Sequence, residues 1–226
     1  MAGMKYNVDI VMCIDCTGSM HALLETVKGN ALRFYPDLKK RCEAKGKDIS
    51  QVRIRVIGFR DFGVDGSSAI ADSGFFSIPE NENAFKNFVG SFTPTGGGDE
   101  PESGLETLAM AIDSDWTTGG DKRRHIIVVW TDASTHDLGT VGMGNPLYPD
   151  GIPSDLDDLT DWWEDTSEEG KMDANAKRLV LFAPDAKSWN VIGGNWSNTI
   201  YHPAEAGTGL SEFDYETILR SIVESV

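Results

Sequence analysis

Apolar residues in this chain come in two rhythms that alternate along it. From Tyr6 to Ile14 the run Val8-Asp9-Ile10-Val11-Met12-Cys13-Ile14 has almost no polar break, the pattern of a strand covered on both faces. From Ser19 to about Lys45 the apolar positions Leu23, Leu24, Val27, Ala31, Leu32 and Tyr35 recur at helical spacing, with Pro36 expected to kink or restart the helix. Val52 to Phe59 predicts a second strand. Phe75 to Ile78 predicts a short third one, at an edge after the Gly-Ser loop. A helix over Glu82 to Val89, a Gly-rich loop over Thr93 to Pro101 and a helix over Glu102 to Ile112 follow, with Pro101 near that helix's first turn. His125 to Trp130 is the most hydrophobic strand, followed by strands at Arg178 to Ala183 and Thr199 to His202. Phe213 to Val226 predicts a closing amphipathic helix.

Between these elements, at about 137–173, the rhythm fails. Gly139, Gly142, Gly144, Pro146, Pro149, Gly151 and Pro153 punctuate the first part, and Trp162-Trp163 with many acids the second. A stretch this long after a central strand is a candidate functional insertion. Strand alternating with helix predicts an α/β fold. The expected architecture is a doubly wound, Rossmann-like, mostly parallel six-stranded sheet with helices on both faces and one short antiparallel edge strand, in a single domain over 1–226. Such sheets bind ligands beyond the carboxyl ends of their strands, where the strand order reverses. Asp15 and Asp132 each stand at such an end.

Composition narrows the function. A net charge of -16 over 226 residues argues against phosphate-backbone recognition and disfavours anionic membranes. It is compatible with cation binding or a basic partner. The three cysteines, Cys13, Cys16 and Cys42, have neither disulfide-framework nor zinc spacing. Cys13 reads as a small core residue, and Cys16 lies inside the first loop considered below. The N-terminal residues carry no signal-peptide pattern and no run reaches transmembrane length, so a cytoplasmic protein is expected.

Three loops carry the chemistry: Asp15-Cys16-Thr17-Gly18-Ser19, the Gly-rich Thr93 to Glu102, and Trp130-Thr131-Asp132-Ala133-Ser134. Carboxylates and hydroxyls without a His or Cys trio are the donor set of a hard divalent cation, Mg2+ or Mn2+ before Ca2+. Each feature alone has a plainer use: Ser19 as a helix N-cap, Asp132 as a turn cap, Gly96 to Gly98 as a flexible loop.

The strand with its Asp15, Thr17 and Ser19 resembles the metal-ion-dependent adhesion site of von Willebrand factor type A domains, whose first motif is Asp-x-Ser-x-Ser. Thr17 replaces the first Ser and keeps the hydroxyl. Thr131-Asp132-Ala133 is similar to that family's third motif, and the order of elements matches it over nearly the whole chain. The second loop departs from the common Gly-Gly-Thr form. Counting back from Gly104-Leu105 places Asp99 where the family carries its Thr ligand, as in a branch with Gly-Gly-Gly-Asp-x-Pro-Glu found in bacterial and kinase-associated members; Thr93 and Thr95 are substitutes. The resemblance implies metal ligands Asp15, Thr17, Ser19, Asp99 and Asp132. It also implies a non-enzymatic module that binds a protein partner, through an acidic side chain at the metal or through a face the metal holds in shape. A direct Asp99 ligand would tighten metal binding and weaken the pull on an acidic partner.

The first loop also resembles the Asp-Lys-Thr-Gly-Thr loop of haloacid dehalogenase-like phosphotransferases, in which Asp15 would be the nucleophile beside Mg2+. That reading needs a phosphate-facing Lys, for which Lys122 or Lys177 is available, and a late acidic pair, for which Asp157-Asp158 is available. Elsewhere, Glu102, Glu106 and Asp113 read as acids of a helix, and His21, His125, His136 and His202 as solvated or capping residues. Trp162 and Trp163 read as pins holding the insertion to the body, or as partner anchors.

Overall fold

The structure is a computed structural model and describes residues 5–96 and 100–226. Six strands form one sheet: β1 (Lys5–Asp15), β2 (Asp48–Phe59), β3 (Ile70–Ile78), β4 (Lys122–Trp130), β5 (Lys177–Pro184) and β6 (Thr199–Ala204). The spatial order is β3-β2-β1-β4-β5-β6, parallel throughout except for β3, which runs antiparallel to β2 at the edge. The order reverses at β1, which pairs with β2 on one side and β4 on the other. The carboxyl ends of β1 and β4 therefore lie side by side at the switch point.

Side chains alternate across the pleat. Val8, Ile10, Met12 and Ile14 of β1 join Ile126, Val128 and Trp130 of β4 in one core. Helices α1 (His21–Ala44), α2 (Glu82–Gly90) and α6 (Tyr215–Ser225) cover it. Val11 and Cys13 join Ile127 and Val129 in the opposite core, under α3 (Gly104–Ile112), α4 (Leu156–Glu164) and α5 (Lys187–Asn195). Both faces of β1 and β4 are thus dry over their upper parts, which is why Ile10–Ile14 and Ile126–Trp130 read as apolar runs.

Five expectations are corrected. Pro36 lies inside α1, which does not restart there but continues as one helix from His21 to Ala44. The edge strand β3 is nine residues long, because Ile70, Ala71 and Asp72 also pair with Phe59, Gly58 and Ile57. Helix α3 begins at Gly104, so Pro101 precedes it. The insertion carries a helix of its own: the Asp155 carboxylate accepts from the Asp158 N–H at the start of α4 (2.9 Å), a side-chain N-cap. A further helix, α5, covers the stretch between β5 and β6 where no helix was expected.

Trp163 is buried. Its indole N–H donates to the Ser197 carbonyl at 2.9 Å and its ring stacks on Trp196, centroids 5.4 Å apart. The pinning reading therefore holds for Trp163. Trp162 lies at the edge of the same core, with the Lys171 ammonium 4.4 Å from its ring centre.

Candidate metal centre

The last residue of β1, Asp15, is fully buried, and its two carboxylate oxygens have separate donors. Oδ1 accepts from the Thr17 hydroxyl (2.6 Å) and the Thr17 N–H (2.9 Å); Oδ2 accepts from the Thr131 hydroxyl (2.8 Å). Thr17 Oγ1 lies 3.4 Å from Ser19 Oγ, which donates to Asp132 Oδ1 at 2.8 Å. Asp132 Oδ2 accepts from the Gly209 N–H at 2.6 Å, on the loop that leads into α6. Asp15, Thr17, Ser19 and Asp132 are therefore one continuous chain of oxygens across the ends of β1 and β4. Ser19 does not serve as an N-cap: its residue sits in a short 3-10 turn (Gly18–Met20), and its hydroxyl spans to the next strand's loop instead.

The backbone laces the three loops together. Gly18 N–H donates to Gly96 O (3.3 Å), Thr95 N–H to Cys16 O (3.2 Å) and Glu102 N–H to Ser134 O (3.0 Å). The Thr95 hydroxyl donates to the Thr93 carbonyl (3.4 Å). Asp99 lies outside the described residues. Cys16 is buried with its thiol pushed up to about 12 by burial, so it is inert as a nucleophile at neutral pH.

Arg60 was not singled out by the sequence. Its guanidinium donates to four main-chain carbonyls: Cys16 (3.2 Å), Thr93 (2.8 Å), Thr95 (2.7 Å) and Ser68 (2.6 Å). One side chain at the end of β2 thereby sets the spacing of the first and second loops. Its place directly after Phe59, at the carboxyl end of the strand beside β1, was the available signal.

The electrostatics point one way. Burial pushes the Asp15 carboxyl up to about 6; the Thr17 and Thr131 hydrogen bonds oppose this and the charge of Asp132 adds to it. Among the described residues neither Asp15 nor Asp132 pairs with a Lys or Arg. Two further acids, read as serving a helix dipole, are buried instead. Glu102 is pushed up to about 8 by burial and by Asp15, Asp61 and Asp65, and Glu106 to about 7 by burial. Among the described residues each leaves one buried carboxyl oxygen without a partner. His136 is not free either; its Nε2 lies 3.2 Å from Asp61 Oδ2. His125 is buried and stacked on Trp116, centroids 4.9 Å apart, which corrects the solvated reading.

The donor set fits a small hard cation. Neighbouring oxygens on octahedral Mg2+ lie about 3 Å apart, given metal–oxygen lengths of about 2.1 Å. The successive oxygen pairs here are separated by 2.6, 3.4 and 2.8 Å. Among the described residues no three His, Cys, Asp or Glu side chains come together as a metal-holding group, so any ion here would depend on the hydroxyls as much as on the two acids.

Comparison with known proteins supports the class defined by this fold, a doubly wound α/β domain with a polar site at the switch point of its sheet. No protein-family profile matches the chain. The pilus adhesin SpaC from Lactobacillus rhamnosus GG superposes with a TM-score of 0.56 at 11% identity, over 98% of this chain and 31% of its own. At that identity the likeness concerns the fold alone. A von Willebrand factor type A protein from Catenulispora acidiphila is also among the similar structures, with a TM-score of 0.48 and 12% identity over 97% of this chain and 42% of its own, a score too low to bear weight. In sequence, the chain is 25% identical over 154 residues to the alpha-protein kinase vwkA of Dictyostelium discoideum, which covers 67% of this chain. The chain spans only 23% of the length of that relative. Among the described residues no helix is long and apolar enough to cross a membrane.

Proposed function

We propose that this chain is a non-enzymatic protein-binding module of the von Willebrand factor type A kind, whose binding face is organised by a divalent cation at the rim of the sheet. The observation that carries the reading is the oxygen chain Asp15–Thr17–Ser19–Asp132: two neighbouring carboxylates, one of them fully buried, tied together by hydroxyls with no basic side chain between them. Mg2+, or Mn2+ in its place, is the cation such oxygens favour over Ca2+. Asp15, Thr17, Ser19 and Asp132 would hold it, with Asp99, or failing it Thr95, as the contribution of the second loop. Bound there, the ion would offer a coordination position to an acidic side chain of a partner. Nucleic acid and membrane surfaces are disfavoured partners for a chain of charge -16. Three free, buried cysteines are compatible with a reducing, cytoplasmic setting.

The phosphotransferase reading is weaker on geometry. Lys122 and Lys177 begin β4 and β5, at the opposite end of the sheet from Asp15, and the buried Lys177 ammonium donates to the Trp163 carbonyl. Asp157 and Asp158 belong to the first turn of α4.

The test is capture of partners from native extract on wild type and Asp15→Asn protein, each with Mg2+ and with EDTA. The reading expects partners retained by wild type with Mg2+ and lost in the other three conditions. Partners indifferent to both chelator and substitution would refute it, as would Mg2+-dependent hydrolysis of p-nitrophenyl phosphate abolished by Asp15→Asn. Titrating Mg2+ against Asp99→Thr tests the second loop, where equal affinities would exclude Asp99 as a ligand.

A further inference from the structure

Next to the oxygen-lined rim the insertion builds a second surface. Asn145 donates through its side-chain amide to the carbonyls of Phe62 (3.0 Å) and Gly66 (2.8 Å), clamping the 139–148 loop onto the 61–68 loop that follows β2. Tyr148 packs edge-on against Phe62, ring centroids 5.3 Å apart, and its hydroxyl donates to Glu106 at 3.3 Å. The approach is so close that a Cβ added to Gly142 would stand 2.3 Å from Phe62 Cβ. This double loop abuts the second loop of the candidate metal centre, because Asp65 and Arg60 close around Gly96.

A lobe this well anchored nevertheless leaves large apolar side chains in water. Val64 is 66% exposed, Met143 68% and Leu147 41%, and these are three of the five large exposed hydrophobics among the described residues. Solvated apolar side chains gathered on one rigid feature mark interaction sites, whereas single scattered ones need no explanation. The charge along the two segments themselves has one sign; Arg60 at their edge has its guanidinium donors taken up by main-chain carbonyls. Asp65, Asp137, Asp150, Asp155, Asp157 and Asp158, none of them buried, lie in or beside the two loops in sequence, and neither 61–85 nor 137–170 contains a Lys or Arg.

We infer that this lobe is a docking surface for a polypeptide segment carrying one or two apolar side chains flanked by Lys or Arg. The apolar side chains would cover Val64, Met143 and Leu147, and the basic flanks would meet the surrounding aspartates. A second copy of the chain does not fit, since it brings a net charge of -16 to an already acidic lobe. The proposal rests on the reading of the chain as a binding module, but it uses none of the candidate metal ligands.

A random-peptide phage library selected on the folded protein in EDTA tests it. Enriched peptides should combine apolar residues with Lys or Arg. A synthetic peptide from the selection should bind about tenfold or more weakly to the Val64→Ser/Met143→Ser variant, and should weaken in salt. Val191→Ser, at an exposed position on α5, should leave its affinity unchanged. Both substituted side chains in the test pair are mostly in water, so the variant should melt as wild type does. Selected peptides that are acidic, that bind the double variant equally, or that do not rise above background would overturn the proposal. So would a concentration-dependent dimer abolished by the double variant, which would assign the lobe to a second copy. Because chelator is present throughout, a failed metal site leaves this result standing, and failure here leaves the metal reading untouched.

Discussion

Strand β1 carries a buried aspartate towards each end, and the two are treated in opposite ways. Asp9, in its lower half, is fully buried and met by the guanidinium of Arg53 on the neighbouring β2 in a fork of 2.9 and 2.7 Å; Thr117 completes its shell through its N–H (2.7 Å) and hydroxyl (3.2 Å). Asp15, at the upper end, is equally buried but has only hydroxyls and an N–H, with a second carboxylate nearby. A buried carboxylate needs compensation. At the lower end the chain supplies its own cation. At the upper end it supplies neutral donors and a second carboxylate but no cation of its own, the arrangement that would favour a cation from solution. On the proposed reading, the contrast separates an acid that holds the fold from one that would hold a ligand.

The comparison can be broken most forcefully at its lower end. Arg53→Met should destabilise the protein by about 3–5 kcal/mol by leaving Asp9 buried without a partner charge, read from denaturant melts. Asp9→Asn in the same background should recover much of that loss. At the upper end the sign should reverse. Without metal, Asp15→Asn removes an uncompensated charge and should stabilise by about 1–3 kcal/mol, while losing any gain in stability from Mg2+. A large loss in metal-free Asp15→Asn would mean that the two ends do not differ.

The buried acids beside the rim sharpen the contrast through pH. Glu106 titrates at about 7 in the fold against 4.5 for a free side chain, because burial favours its neutral form. Its contribution is fully present below pH 4.5 and is lost as pH rises towards 7, since the unfolded chain releases the proton first. Glu106→Gln should flatten that part of the stability profile and leave the variant about 1–3 kcal/mol more stable than wild type at alkaline pH. Identical slopes would place the titration elsewhere. A smaller effect is expected at Arg60. Arg60→Ala removes four bonds to loop carbonyls at the edge of solvent. It should cost about 1–2 kcal/mol and raise hydrogen exchange at Thr95 and Gly18 before the strands are affected.

Much of this was legible in the sequence. Asp15, Thr17 and Ser19 fall within five residues at the end of a largely apolar strand, and Asp132 follows another, so periodicity put both acids at strand ends; that the two strands are neighbours came only from their pairing in the sheet. The missed features depend on contacts between distant segments. Helices α4 and α5 are nine residues each; α4 opens on Asp157 and Asp158, and α5 contains Gly193 and Gly194, so neither shows a long apolar stripe. Glu102 and Glu106 look like solvated helix acids until the insertion, through Tyr148, and the 61–65 loop are folded over them. Arg60 looks like any surface arginine until three loops bring their carbonyls to it.

The central claim, that Asp15 and Asp132 await a cation, is tested most directly by titrating chelator-stripped protein with Mg2+ in a calorimeter, alongside Asp132→Asn. The account predicts a single saturable site in wild type, absent from the variant, with a thermal shift that grows with free metal as binding to the native state alone requires. Wild type that takes up no Mg2+ or Mn2+ at roughly millimolar metal and melts unchanged, or a variant that binds as well as wild type, would contradict it.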